Sequence, residues 1–373
     1  MVNKTPKPTG KYAVGTFTYT VKDVRPETLP GYTSEERSVP ARVYYPVRPE
    51  DTEGLEKEHG ISREMAVGMS KNFKIPMDYD RMEANGENLS NAFKDAPVIK
   101  DEKFPLIMFS HGYMSYREGN SFLCIELASR GYVVISVAHS HEAIVTEFDD
   151  GSSIPFEQSY AKKMYEPMLG GILAALKVTK LKGSFEEKAE ALDKMQKKYC
   201  HFMMGRVPEW EEDMRAALKY AKENLSDMID FDKGVGVSGH SLGGAAAYTL
   251  CLDDPDFVCG INIDGALFGD HGDKVMHKPF MQINCKANAN VTARGSIYKD
   301  SVSYRVLFRD MVHVAFSDMK FAIPSKLMVG KLEPELMHEN LCNVHSEFFD
   351  AYLKKTKAEP DIADNDVIKV ERM

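Results

Sequence analysis

A chain of 373 residues that is 43% hydrophobic and 28% charged has the composition of an ordinary soluble globular protein and the length to bury a substantial core. Its formal net charge of -9 argues against a broad phosphate-binding face and therefore against nucleic acid as a partner. The same acidity disfavours purely electrostatic docking on anionic lipid but leaves hydrophobic contact with a lipid interface open.

The chain starts Met1-Val2-Asn3-Lys4, without the apolar run and small-residue cleavage site of a signal peptide, and no later stretch is long enough to span a membrane as a helix. Residues 41–46 read as a strand that stops at Pro46. The polar block from about 50 to 103, scattered with Met65, Met69, Met77 and Met82, is expected to be an excursion from the core. From 104 the pattern turns strongly α/β. Residues 104–109 form an apolar run suited to a strand buried on both faces, a helix follows over 119–129, and a second strand runs over 132–137. A hairpin around Asp150-Gly151 leads into a second insertion at about 156–206. A helix over 208–224, with Pro208 in its first turn, returns the chain to the sheet.

Strand 234–238, helix 242–252 and strand 258–263 follow, then strands at 280–284 and 304–308, and an amphipathic helix over 338–354 whose His338 and His345 are expected to face solvent. Strands alternating with helices at this spacing predict a mainly parallel central sheet covered on both faces. The expectation is a single domain over 1–373 with insertions at about 50–103 and 156–206. The six cysteines (Cys124, Cys200, Cys251, Cys259, Cys285, Cys342) are scattered without metal-like pairing, and reduced thiols in a cytoplasmic protein are the simpler reading, a trimmed leader being the exception.

Within this pattern Gly239-His240-Ser241-Leu242-Gly243 fits G-x-S-x-G, and it lies between a strand and a helix, the context that gives the motif meaning. A turn that tight leaves no room for flanking side chains, holds Ser241 in a strained conformation, and points the N–H groups of the next helix at the place where negative charge develops. A serine hydroxyl needs a base, and the class places its residues in the order Ser, acid, His. His313, in the loop just past the strand ending at Phe308, is the expected base. The acid is less direct, since residues 274–299 contain no Asp or Glu. Asp264 ends the strand beside that of the nucleophile and is chosen over Asp300 and Asp310. The oxyanion donors are expected to be the backbone N–H groups of Leu242 and of Tyr113, the latter in the turn His111-Gly112-Tyr113. These features assign the chain to the α/β-hydrolase fold. The mechanism requires neither a metal nor a cofactor, and His139-Ser140-His141 reads as strand-end packing because no third ligand joins it.

The sequence resembles the platelet-activating-factor acetylhydrolase family, in its plasma and type II intracellular branch. The resemblance runs through Gly10-Lys11-Tyr12-Ala13-Val14-Gly15, Tyr44-Tyr45-Pro46, the segment from Phe104 to Gly112, Gly239-His240-Ser241, the Asp264 strand, and His313 with Phe316-Ser317-Asp318. It implies a calcium-independent esterase or phospholipase-A2-like activity on short acyl chains, with its acid on the earlier strand, as Asp264 is. Leu242 stands where the animal enzymes usually have phenylalanine, which puts a lipoprotein-like role in doubt.

Residues 164–176 of the second insertion are apolar and carry the flexible Met164 and Met168, which suits a lid lining an acyl pocket; a helical pair that simply packs on the domain is the plain alternative. The functional expectation is a serine carboxylic ester hydrolase acting through an acyl-enzyme on a small ester or lipid. Amide hydrolysis or acyl transfer would use the same three residues, and a non-catalytic binding protein would need none of them.

Overall fold

The computed structural model describes residues 5–323 and 325–373, so the N-terminal reading of Met1–Lys4 lies outside the described residues. The chain divides into two compact units, one of residues 1–108, 114–156 and 212–231, the other of 109–113, 157–211 and 232–373.

In the first unit, β1 (Ala13–Asp23) and β2 (Arg37–Val47) form a long antiparallel pair in continuous register from Ala13 opposite Val47 to Asp23 opposite Arg37. The block after β2, expected to be an excursion, instead extends the sheet. It holds β3 (Lys57–His59), the helices α1 (Arg63–Phe73) and α2 (Tyr79–Ala84), and β4 (Leu89–Lys94), with β3 antiparallel to β4 and β4 parallel to β1. Its methionines explain the difference. Met65 and Met69 on one face of α1 are buried with Tyr116, Ile144 and Val145, so the helix is anchored by a small core of its own. β5 (Leu106–Ser110), α3 (Ser121–Ser129) and β6 (Val133–Val137) follow as read from the sequence, and β6 pairs antiparallel with β2. The expected hairpin is β7 (Val145–Glu147) with β8 (Ser153–Pro155).

The second unit begins its insertion with the short helix α4 (Gln158–Ala161), then α5 (Met168–Thr179) and α6 (Phe185–Tyr199), the last opened by a Ser184–Glu187 capping box. α7 runs from His201 to Asn224, so the helix expected to begin near Pro208 starts two turns earlier and carries the proline inside. Burial overrides the proline's cost: Cys200, Met203, Val207 and Trp210 share one buried cluster, and a break at 208 would pull that stripe apart. Beyond it come β9 (Val235–His240), α8 (Leu242–Asp253), β10 (Phe257–Ile263), β11 (Phe280–Cys285) and β12 (Ser303–Phe308), whose four strands are parallel neighbours in chain order. Short helices α9 (Met319–Ala322) and α10 (Lys326–Val329) precede α11 (Pro334–Tyr352). A strand absent from the sequence reading, β13 (Ile368–Arg372), pairs antiparallel with β12 at the edge.

His345 corrects the reading of α11. It is buried rather than solvent-facing, its Nδ1–H donating to the Leu341 carbonyl at 2.7 Å and its Nε2 lying 3.2 Å from the Ser238 hydroxyl. Burial pushes its pKa down to about 4. His338 is half-buried, its ring edge-on to Phe321. Among the described residues no helix is long and apolar enough to cross a membrane.

Candidate active site

The bend between β9 and α8 places Ser241 at φ 57° and ψ -120°, in the left-handed half of backbone space that a serine adopts only under constraint. The constraint is local. A Cβ at Gly239 would collide with the Gly243 backbone, so only glycine allows the helix to start this close to the strand. The bend is tied to the neighbouring strand by the Ser241 N–H donating to the Ile263 carbonyl at 2.9 Å. Ser241 itself remains partly open to solvent.

His313 leaves the end of β12 in a short 3-10 turn (His313–Phe316), and Asp264 follows β10 directly. His313 Nε2 lies 2.9 Å from the Ser241 hydroxyl, and its Nδ1 lies 2.8 Å from Asp264 Oδ2. The imidazole is 44% exposed while the carboxylate is fully buried. This arrangement keeps the acid out of water and the ring accessible to a substrate. The other two acids weighed for this position lie elsewhere. Asp300 pairs with His277 at 2.7 Å on an exposed face, and Asp310 occupies a turn at φ 53° whose carbonyl accepts the Lys331 N–H.

On the opposite side of the bend, Gly112 approaches so closely that a Cβ there would lie 3.1 Å from Ser241 Cβ. The His111 ring Nδ1–H donates to the Gly112 carbonyl at 2.7 Å, and the ring stands edge-on to Trp210, bracing the turn that presents Tyr113. Leu242, the first residue of α8, is buried in the cluster formed by the insertion, against which Tyr113 also packs. The groups singled out from the sequence are thus gathered around one serine.

Comparison with known proteins places this site in a family. A family model described as platelet-activating factor acetylhydrolase, isoform II, matches residues 2–367. The chain belongs to that family. It is 24% identical to the platelet-activating factor acetylhydrolase of Cavia porcellus over 368 residues, covering 93% of this chain and 78% of that one. It is 26% identical to the enzyme of the same name from Canis lupus familiaris over 333 residues, covering 86% and 69%. Among solved structures, a ferulic acid esterase from Streptomyces cinnamoneus superposes with a TM-score of 0.74 at 19% identity, covering 99% of this chain and 98% of that one. The fold is therefore α/β-hydrolase, with a mainly parallel central sheet and helices around it. This acetylhydrolase-family member is a carboxylic ester hydrolase.

In this family member the surroundings of the acid contain residues the sequence reading passed over. Asp264, at φ 56°, accepts the Cys285 N–H at 2.8 Å and an Asn288 Nδ2–H at 2.8 Å, with the Cys285 thiol 3.4 Å and the Asn284 amide 3.4 Å away. Asn288 Nδ2 also lies 3.4 Å from His313 Nδ1. Asn284 and Cys285 end β11 and Asn288 follows it, the place where many hydrolases of this fold carry the acid. Here that stretch supplies donors instead, and three asparagines in seven residues (Asn284, Asn288, Asn290) were the available signal. Burial, and secondarily the Asp264 charge, pushes the Cys285 thiol up to about 12, so it acts as a neutral donor rather than a thiolate.

His240 was also missed, being only the variable position of the motif. Its Nε2–H donates to the backbone carbonyl of His313 at 3.1 Å, and the two rings lie 4.8 Å apart. Burial, then the neighbouring His313, pushes its pKa down to about 3, so it stays neutral beside that ring. Among the described residues no group of three His, Cys, Asp or Glu side chains is arranged to hold a metal ion.

Proposed function

We propose that the chain acts as one α/β-hydrolase domain that cleaves short-acyl esters, including acyl lipids, through an acyl-enzyme on Ser241. The reading is supported above all by the continuous chain from the Ser241 hydroxyl to His313 at 2.9 Å and from His313 to Asp264 at 2.8 Å. As the hydroxyl oxygen bonds to the ester carbonyl carbon, its proton passes to His313 Nε2. Asp264 keeps Nδ1 protonated, which leaves Nε2 free to accept, and offsets the charge of the imidazolium. The tetrahedral oxyanion is met by the Leu242 and Tyr113 N–H groups, reinforced by the N-terminus of α8. Collapse breaks the bond to the leaving alkoxide, which takes the proton from Nε2. Water then repeats the sequence to release the acid.

The insertion 156–206 serves in this reading as a cap whose inner side chains set acyl length. Tyr113, Met164, Tyr165 and Phe202 pack against the same cluster as Leu242, which ties the cap to the oxyanion turn. A cytoplasmic location is proposed with it, on the strength of six free, buried cysteines, and fractionation of tagged cells tests it. For the reaction, labelling by a fluorophosphonate probe is compared in wild type, Ser241→Ala and His313→Ala, with hydrolysis of acetyl to octanoyl nitrophenyl esters. Wild-type labelling with turnover is expected. Labelling without ester turnover would shift the assignment to amide hydrolysis or acyl transfer, and no labelling would remove it.

A further inference from the structure

Helix α5 carries two apolar stripes at the same helical spacing, and they are inverted relative to a normal surface helix. Gly171, Ala174, Ala175 and Val178 recur at i, i+3, i+4 and i+7 and turn inward, Val178 buried in the cluster and the two alanines packed against it. Leu169, Ile172, Leu173 and Leu176 recur at the same spacing and face outward, 73%, 40%, 52% and 48% exposed, with Met168 beside them. The small residues are inside and the large ones outside. Core packing needs the first stripe and gains nothing from the second, and a contiguous patch of large apolar side chains marks a surface that meets an apolar phase.

The charge around the patch says which one. Between 162 and 182 there are five lysines (Lys162, Lys163, Lys177, Lys180, Lys182) and one acid, Glu166, in a chain whose net charge is -9. Lys162, Lys177, Lys180 and Lys182 are exposed, and Lys180 continues the outward stripe one turn past Leu176. A second copy docked on this face about a twofold axis would bring lysines against lysines. An anionic bilayer satisfies both parts: the leucines enter the acyl boundary while lysines stay at phosphate level on their flexible stems.

We propose that the outward face of α5 is a docking surface for anionic phospholipid bilayers. The inward face of the same helix packs on the cluster that also contains Leu242, Ala245 and Ala246 of α8. The binding stands apart from the catalytic assignment and is measured without turnover. Full-length Ser241→Ala protein is sedimented with vesicles of phosphatidylcholine alone and of phosphatidylcholine with phosphatidylserine. Partition to the mixed vesicles is expected to exceed that to the neutral ones. Leu169→Ser with Leu173→Ser lowers it roughly tenfold or more on both, and Lys177→Glu with Lys180→Glu lowers it on the order of tenfold on the mixed vesicles alone, each with an unchanged Tm. Absence of binding by the parent protein, or equal partition of the leucine variant, would overturn the proposal. So would a dimer in size-exclusion chromatography that the leucine substitutions convert to monomer.

Discussion

Two histidine–aspartate pairs of nearly the same length sit in the two units. In the second unit His313 Nδ1 lies 2.8 Å from Asp264, and in the first His139 Nδ1 lies 2.9 Å from Asp213. What differs is everything around them. Asp213 is enclosed with Arg37, whose Nε is 2.7 Å away, while Arg37 also reaches Glu27 and Glu142; all these side chains are buried. The guanidinium and His139 hold the Asp213 carboxyl well below the usual range in spite of burial, and burial lowers the His139 pKa in spite of the Asp213 charge. That network ties Arg25 of the β1–β2 loop, Arg37 of β2 and His139 after β6 to Asp213 of α7. Asp264 is surrounded by neutral N–H and S–H donors instead, and its histidine stands 44% exposed beside a hydroxyl. A His–Asp pair becomes chemically useful only when the carboxylate's one charged partner is the imidazole and the other ring nitrogen faces a nucleophile and solvent.

Substitutions can break that contrast. Ser241→Ala is expected to lower kcat by about 10⁴-fold or more and abolish fluorophosphonate labelling, with Tm little changed. Asp264→Asn should cost roughly 10³- to 10⁴-fold in kcat on nitrophenyl acetate, because the amide stabilises the wrong tautomer. Asp213→Ala probes the other pair and is expected to act on stability, by about 3 kcal/mol in denaturant titration, since it removes the buried carboxylate shared by Arg37 and His139 and leaves Arg37 only Glu27 and Glu142. Per active site, counted by probe labelling, its turnover should stay near wild type. A large kcat loss there with normal stability would erase the distinction between the pairs.

Smaller effects sharpen the comparison. The buried His345 has a folded pKa of about 4 against an ordinary 6.5. As pH falls the unfolded chain binds the proton first, so the stabilisation is whole above 6.5 and is lost progressively toward 4. The loss amounts to about 3 kcal/mol, and His345→Gln should flatten the acid limb of Tm against pH. Smallest is His240→Phe, which keeps an aromatic ring against His313 but removes the donor to its carbonyl. A kcat loss of roughly fivefold with unchanged KM is expected, as is partial recovery in His240→Gln.

The legibility of the molecule follows the range of the forces involved. The βα alternation from 104 onward could be read because short apolar runs and tight glycine turns are local signals. Ser241, His313 and Asp264 could be named by motif, order and elimination, and they lie within hydrogen-bonding distance of one another. The region from 50 to 103 was misjudged because α1 hides its buried face behind methionines in a polar background, and the α7 start was misplaced because Pro208 outweighs local propensity but not a buried stripe.

The sequence alone determined the class of fold, the glycine bend at Ser241 and the identity of the residues that meet there, since each depends on residues a few positions apart or on strand order. Tertiary structure alone decided that Asn288 and Cys285 donate to Asp264, that His240 donates to the His313 carbonyl, that His345 is buried, and that α5 shows its large apolar side chains to the outside. Those outcomes depend on which surfaces meet across distant segments. Helical periodicity marks two apolar stripes equally well, and only packing says which one is covered.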